Sequence, residues 1–261
     1  MGYPTPFHAI HRRLNPTTVI ASVPFSRGDK FEFGNRMAVI NIPQTKKLIV
    51  WGSLPLGSEF QKAIDNATND ESSNYEIAYG IVPDREHTLA AIDLKKQFPN
   101  VFLIGPDGIA GKPDLKLDYT FKDDEANKIV KGESISESLK GFEFLYFNNH
   151  TNGEVVMLDK STKTLFEADL LFNIPYDGVN HDQYPHYNQN RGVFGYLTCF
   201  LNGYNTFGRI IHRRLLKDTP GTRAGVAALL SWDFDSIIMS HGKCCEEGGK
   251  ELIKKVFNPY V

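Results

Sequence analysis

Four short apolar runs in this chain each end on a residue that can ligate a metal or move a proton. Ile77 to Val82 is stopped by Pro83 and followed by Asp84, Glu86 and His87. Phe142 to Phe147 leads to Asn148-Asn149-His150, Thr164 to Ala168 to Asp169, and Ser236 to Ser240 to His241. Runs of this length, bounded by Pro, Gly and Asn, read as buried strands. Chemistry in open α/β sheets collects at the carboxyl ends of strands. Four such ends on one rim would bring together three histidines and as many as three carboxylates. Three or four such side chains suffice to hold a catalytic divalent cation with an open position.

Each residue also has a plainer reading. Asp84 is a good N-cap for a helix through Leu89 to Gln97, with Glu86 and His87 in its first turn. His150 fits a hairpin turn, Asp169 a cap before Leu170, and His241 a core position before Gly242. Only their joint placement at strand ends favours a site.

The remaining chain supplies strands and helices around these ends. Thr17 to Phe25, Arg36 to Ile42 and Lys47 to Trp51 read as antiparallel strands. Ser58 to Ile64 reads as a helix capped by Ser58. Val101 to Ile104 and Glu154 to Asp159 are further strands. Residues 105–141 are rich in Gly, Lys and Asp and carry no clear pattern. Tyr196 to Leu201, Arg209 to Leu216, Thr222 to Leu230 and Gly249 to Val256 have helical character. Residues 173–208 form a long loop, crowded with tyrosine and histidine between Tyr176 and Tyr187. Long loops in compact domains tend to be functional, so His181, Tyr184, His186 and Tyr187 are expected to line a substrate site or lid. Packing of those rings among themselves is the competing reading.

Composition bounds the partners. With 261 residues, 41% of them hydrophobic, the chain has material for an ample core in one domain, residues 1–261. Its net charge of −2 gives no electrostatic footprint for nucleic acid. No run of apolar residues is long enough to span a bilayer and no secretory signal opens the chain. Cys199, Cys244 and Cys245 make no disulfide framework. The expectation is a cytoplasmic protein acting on a small molecule, with self-association into a homo-oligomer compatible with this reading.

The order of these segments resembles the metallo-β-lactamase superfamily. That family carries HxHxDH after a strand, a later His in a segment like H-T-x-G, an Asp ending a "TLL..D" segment, and a final His in a segment like S-H-G. Here His150-Thr151-Asn152-Gly153, Thr164 to Phe172 with Asp169, and Ser240-His241-Gly242 match the last three. The first motif departs: Val82, Asp84, Glu86 and His87 stand where H, H, D and H are usual. The resemblance implies a four-layer αββα sandwich, two mixed β-sheets face to face with helices on the outer faces. It also implies two metal sites sharing Asp169. One would keep Asp84 and His150, the other Glu86, His87, Asp169 and His241. One or two divalent ions are therefore expected, zinc first, with iron or manganese favoured by the added carboxylate. Asp84 or Glu86 would serve as general base in hydrolysis of an ester, lactone, thioester or amide. An iron-dependent redox enzyme and a non-catalytic binding protein of the same fold are the alternatives. Cys244-Cys245, just beyond His241, is read as packing.

Overall fold

The computed structural model describes residues 2–28, 30–109, 115–190 and 192–260. In chain order it opens with β1 (Ile10–Arg13), β2 (Thr18–Val23), a small hairpin of β3 (Ser26–Arg27) and β4 (Phe31–Glu32), β5 (Asn35–Ile42) and β6 (Lys47–Trp51). Helix α1 (Ser58–Thr68), β7 (Glu76–Ile81), α2 (Ala91–Gln97), β8 (Phe102–Pro106) and β9 (Tyr119–Phe121) follow. Then come β10 (Ile129–Lys131), the single turn α3 (Gly132–Ile135), β11 (Phe142–Phe147), β12 (Glu154–Asp159) and β13 (Thr164–Glu167). The chain ends through α4 (Gly192–Thr198), α5 (Thr206–Leu215), α6 (Pro220–Ser231), β14 (Ser236–Met239) and α7 (Gly249–Phe257).

Two sheets result. The first has the order β1-β2-β5-β6-β7-β8-β9. It is antiparallel from β1 to β6 and parallel from β6 onward. The second runs β10-β11-β12-β13-β14 and is antiparallel except between β13 and β14. The strands are covered on both faces, which is why they read as near-continuous apolar runs rather than alternating ones.

The hydrophobic residues sort into three layers of contact. Ile20, Ile40, Trp51 and Ile81 of the first sheet meet Phe144, Tyr146, Met157 and Phe166 of the second. Val19, Val39 and Val50, on the first sheet's other face, pack under Phe60, Ile64 and Ala67 of α1 and Leu94 of α2. Leu145, Val156, Leu165 and Ile237, on the second sheet's outer face, meet Val226 and Leu229 of α6 and Leu252, Ile253 and Val256 of α7. Helix, sheet, sheet, helix is the αββα sandwich expected from the sequence. Val82, at the first His position of the departed motif, is buried in the layer beneath α1 and α2.

Local chemistry explains several boundaries. Thr219 Oγ1 accepts the Thr222 N–H at 3.0 Å and Pro220 takes the first turn of α6, where its missing N–H costs nothing. Asn205 caps α5 by accepting the Gly208 N–H at 2.7 Å. Ser58 does not cap α1 as expected; Gly57 precedes the helix with no side-chain bond. The segment at 105–141 resolves into β9, β10 and α3, while its residues 110–114 lie outside the described residues. The basic stretch around Arg12 becomes the edge strand β1. No described helix is long and apolar enough to cross a membrane.

Two features place the strand ends on one rim. In the parallel pair β13–β14, Glu167 faces Met239, so Asp169 and His241 stand two residues beyond the paired ends. The segment after β7 crosses to the other sheet: the Val155 N–H donates to Pro83 O at 2.7 Å, and the Arg85 N–H to Asn152 O at 3.0 Å. The loop carrying His87 is thereby stitched to the turn carrying His150.

A candidate metal centre at the rim of the two sheets

His87 is held by the residue three before it. Asp84 is fully buried, and its Oδ1 accepts the N–H groups of Glu86 at 2.7 Å and His87 at 2.9 Å. Its Oδ2 lies 2.8 Å from His87 Nδ1. Asp84 does not cap the helix as expected, since α2 begins at Ala91 after Ala90; it closes the local turn through His87, and by doing so fixes the imidazole. A carboxylate on Nδ1 sets the tautomer and leaves Nε2 as the nitrogen for a cation.

His241 is fixed in the same sense by a different group. Its Nδ1 lies 2.7 Å from Gly34 O, so Nδ1 carries the proton and Nε2 faces Asp169 Oδ1 at 3.1 Å. Gly34 sits at φ 71° hard against Gln183, whose Oε1 would lie 2.1 Å from any Cβ there. Gln183 in turn donates to Ser240 O at 2.8 Å and accepts the Gly242 N–H at 3.0 Å. From the opposite side the buried Arg36 guanidinium donates to Met239 O, to Gly242 O at 2.9 Å and to Ser22 Oγ at 2.9 Å. The peptide around His241 is therefore gripped on both sides.

Asp169 completes the group. Its Oδ2 accepts from Asn152 Nδ2 at 2.5 Å. Its turn is pinned by buried Glu154, which accepts the Ala168 N–H at 2.6 Å and the Asp169 N–H at 3.2 Å. Ligating atoms of His87, Asp169 and His241 all lie within 4.8 Å of one another.

The electrostatics suit a cation. Burial alone would lower the His87 pKa, but the Asp84 and Asp169 carboxylates outweigh it and hold the imidazole at about 9. Burial would raise Asp169; His87 and His241 instead hold it well below the usual carboxylate range. Glu154 and Glu167 are pushed well above theirs by burial and by neighbouring carboxylates. Asp169 Oδ1, and His150 Nε2 beside the group, are buried with no hydrogen-bond partner apart from the 3.1 Å approach of His241 Nε2 to Asp169 Oδ1. Buried polar atoms are ordinarily paired, so atoms left over beside two oriented imidazoles fit a divalent ion. The donor set of two histidines and one carboxylate is one that zinc and non-haem iron both accept.

The other residues singled out in the sequence have different places. Asp84 supports His87 with both oxygens and stands behind it rather than beside it as a ligand or free base. Glu86 does not join the three; its side chain is half exposed and faces Arg27 at 3.8 Å. His150 is buried, with Nδ1 accepting the Asn152 N–H at 3.3 Å, and also stays outside the group. Burial lowers its pKa and keeps it neutral.

The group opens onto a cavity of about 830 Å³. Its walls come from the β3–β4 hairpin and from the α4–α5 region, while His87, Asp169 and His241 lie at its floor with Glu86 beside them. None of His181, Tyr184, His186 and Tyr187 lines it. His181 and His186 are exposed, and Tyr184 is buried, its hydroxyl donating to Phe25 O at 3.0 Å and its ring against Tyr187. The reason is an amide network that sequence reading missed. Asn180 Nδ2 donates to Gln183 and Gln189, and Gln189 donates to Glu32 O at 2.8 Å. This straps residues 173–190 behind the His241 turn as a brace, and the aromatic rings pack locally. The rings that do reach the site are Phe33 and Phe172, at centroid distances of 5.8 and 4.9 Å from His241. Asn152, at the unspecified position of the H-T-x-G segment, was missed, and Arg36, Gln183 and the two phenylalanines carried no local signal. Cys245 is buried in the apolar layer with Ile237 of β14, whose backbone it also pairs with.

Comparison with known proteins agrees with the architecture. No protein-family model and no curated protein matches the chain. Solved structures do. A metallo-β-lactamase from Erythrobacter litoralis with β-mercaptoethanol in its active site superposes with a TM-score of 0.63 at 11% identity, covering 97% of this chain and 96% of the other. One from Pseudomonas aeruginosa in its mono-zinc form gives 0.61 at 10% identity, covering 98% and 96%. One from Hirschia baltica gives 0.60 at 11% identity, covering 97% and 98%.

Proposed function

With the metallo-β-lactamase fold as its frame, we propose that this protein is a hydrolase that uses one divalent cation, held by His87, Asp169 and His241. The observation that supports the reading is the convergence of these three side chains, within 4.8 Å of one another, on the floor of a large cavity. A cation bound there supplies Lewis acidity, polarising a carbonyl and making hydroxide available near neutral pH. The chain's own residues do the rest. Asp84 and Gly34 orient the two imidazoles, Asn152 orients the Asp169 carboxylate, and Phe33 and Phe172 exclude water around His241. Glu86 is the carboxylate on the cavity wall nearest in sequence to His87, and we assign it the acceptance of the proton from water. Zinc is the first expectation. The substrate is an acyl compound: an ester, lactone, thioester or amide.

The donor set also supports a second reading. Two histidines and one carboxylate are the ligands of non-haem iron oxygenases, and the buried carboxylates around the site suit iron. The test separates them. Ester turnover that is lost on chelation and restored by zinc or manganese supports the hydrolase. Turnover that survives complete chelation contradicts it, and iron with oxygen uptake in place of ester turnover favours the redox reading.

A further inference from the structure

The character of the cavity narrows the substrate class, building on the hydrolase reading above. Its two walls are largely hydrocarbon, with Arg27 the polar side chain on the hairpin side and Thr198 on the helical side. The β3–β4 hairpin side presents Phe31 and Phe33, and the helical side presents Leu197, Leu201, Ile211 and Leu215. The hairpin and α4 touch where the rings of Phe31 and Phe194 meet edge to face at 5.2 Å. The polar lining includes Asp169, Asn152 and the two imidazoles, with Asn35, Ser53 and Thr151 as further neutral polar residues. Arg27, the cation among the described lining residues, stands 3.8 Å from Glu86 with both side chains half exposed. The hydrocarbon does not stop at the mouth: Leu89 is 59% exposed and Leu197 51% exposed, both lining the cavity. Apolar side chains left open at a mouth mark a binding surface rather than a packing fault. A space of about 830 Å³ is at the upper end of small-molecule sites, far more than a short acyl group fills.

The geometry points to an acyl-chain site: the substrate carries an uncharged aliphatic chain that lies between the hairpin and α4–α5, with its carbonyl on the floor beside His87, Asp169 and His241. Hydrolysis there is balanced by water alone. The acyl carbon gains the water oxygen, its bond to the leaving heteroatom breaks, and the leaving group takes up a proton.

Binding of a homologous series of alkan-2-ones, from pentanone to undecanone, by displacement of an environment-sensitive fluorophore, tests the site. These ketones keep a carbonyl and a chain but hold no hydrolysable bond, so their affinity does not depend on turnover. Each methylene added within the cavity is expected to tighten binding roughly threefold to fourfold. Leu197→Asp, at a half-exposed position that tolerates charge, and Ile211→Trp, which fills the cavity, are each expected to flatten that slope. Affinities independent of chain length, or a slope unchanged in both variants, overturn the proposal. Flat ketone binding alongside ester turnover removes the chain site and leaves the hydrolase. Steep ketone binding with no turnover of any ester supports the chain site and removes the hydrolase.

Discussion

Asp84 Oδ2 lies 2.8 Å from His87 Nδ1 while Asp84 Oδ1 caps the turn that carries His87. One buried carboxylate thus sets the backbone, the tautomer and the direction of the imidazole. Groups in this position typically contribute a factor of roughly 10–100 to metal affinity. Asp84→Asn keeps the turn acceptor but weakens the hold on Nδ1. A fall in zinc affinity of that order is expected by competition with a chromophoric chelator. Unchanged affinity would show that Asp84 serves the turn alone.

Glu86 and Asp84 sit two residues apart, yet their variants are expected to behave differently. Glu86 is outside the ligand group and half exposed, so Glu86→Gln should retain its metal. As the proton acceptor its loss should cost on the order of 10²-fold in kcat. Loss of metal in this variant would return Glu86 to the ligand set. Full kcat with full metal would leave the proton to another group.

Arg36 is a buried cation whose partners are carbonyls and a hydroxyl rather than a carboxylate. Arg36→Met leaves Met239 O, Gly242 O and Ser22 Oγ without their donor, each buried polar group costing about 1–3 kcal/mol when orphaned. Destabilisation of roughly 3 kcal/mol is expected in denaturant unfolding of the metal-free protein, with weaker metal binding because the His241 turn is released. A midpoint within error of the parent would rule out the clamp.

His212 gives a pH signature from outside the candidate group of His87, Asp169 and His241. It is fully buried, accepting the Phe172 N–H at Nε2 at 2.9 Å, and burial holds its pKa at about 4 against 6.5 when free. Between these values the unfolded chain takes up a proton that the folded one refuses. Stability is therefore full above pH 6.5 and falls as pH drops toward 4, by roughly 3 kcal/mol in all. His212→Gln, which retains an acceptor, should remove that part of the slope in chemical denaturation at several pH values. An unchanged slope would assign it to other groups.

The layers of this fold were legible because double-sided burial writes itself as short apolar runs, several of them closed by Pro83, Gly52, Gly105 or Asn148. The candidate group was legible for a related reason: Asp169 and His241 stand two residues past their strands and His87 six past β7, so finding the strands pointed to the residues that converge. What could not be read is what depends on long-range contact. Gly34 and His241 are 207 positions apart, and nothing in either neighbourhood announces their bond. The tyrosine- and histidine-rich loop misled because composition suggests a lid, whereas direction is set by Asn180, Gln183 and Gln189, whose amides look unremarkable in sequence. Asp84 was open to reading as a helix cap or as a ligand, and the fold makes it neither: α2 begins only at Ala91, and its two oxygens go to the turn at Glu86 and His87 and to His87 Nδ1.

Elemental analysis of protein prepared without chelator, in the parent and in His87→Ala, Asp169→Ala, His241→Ala and His150→Ala, tests the centre most directly. One equivalent of a divalent metal is expected in the parent and in His150→Ala, and most of it should be gone in each of the other three. A parent without metal, or full occupancy in all three triad variants, would contradict the assignment.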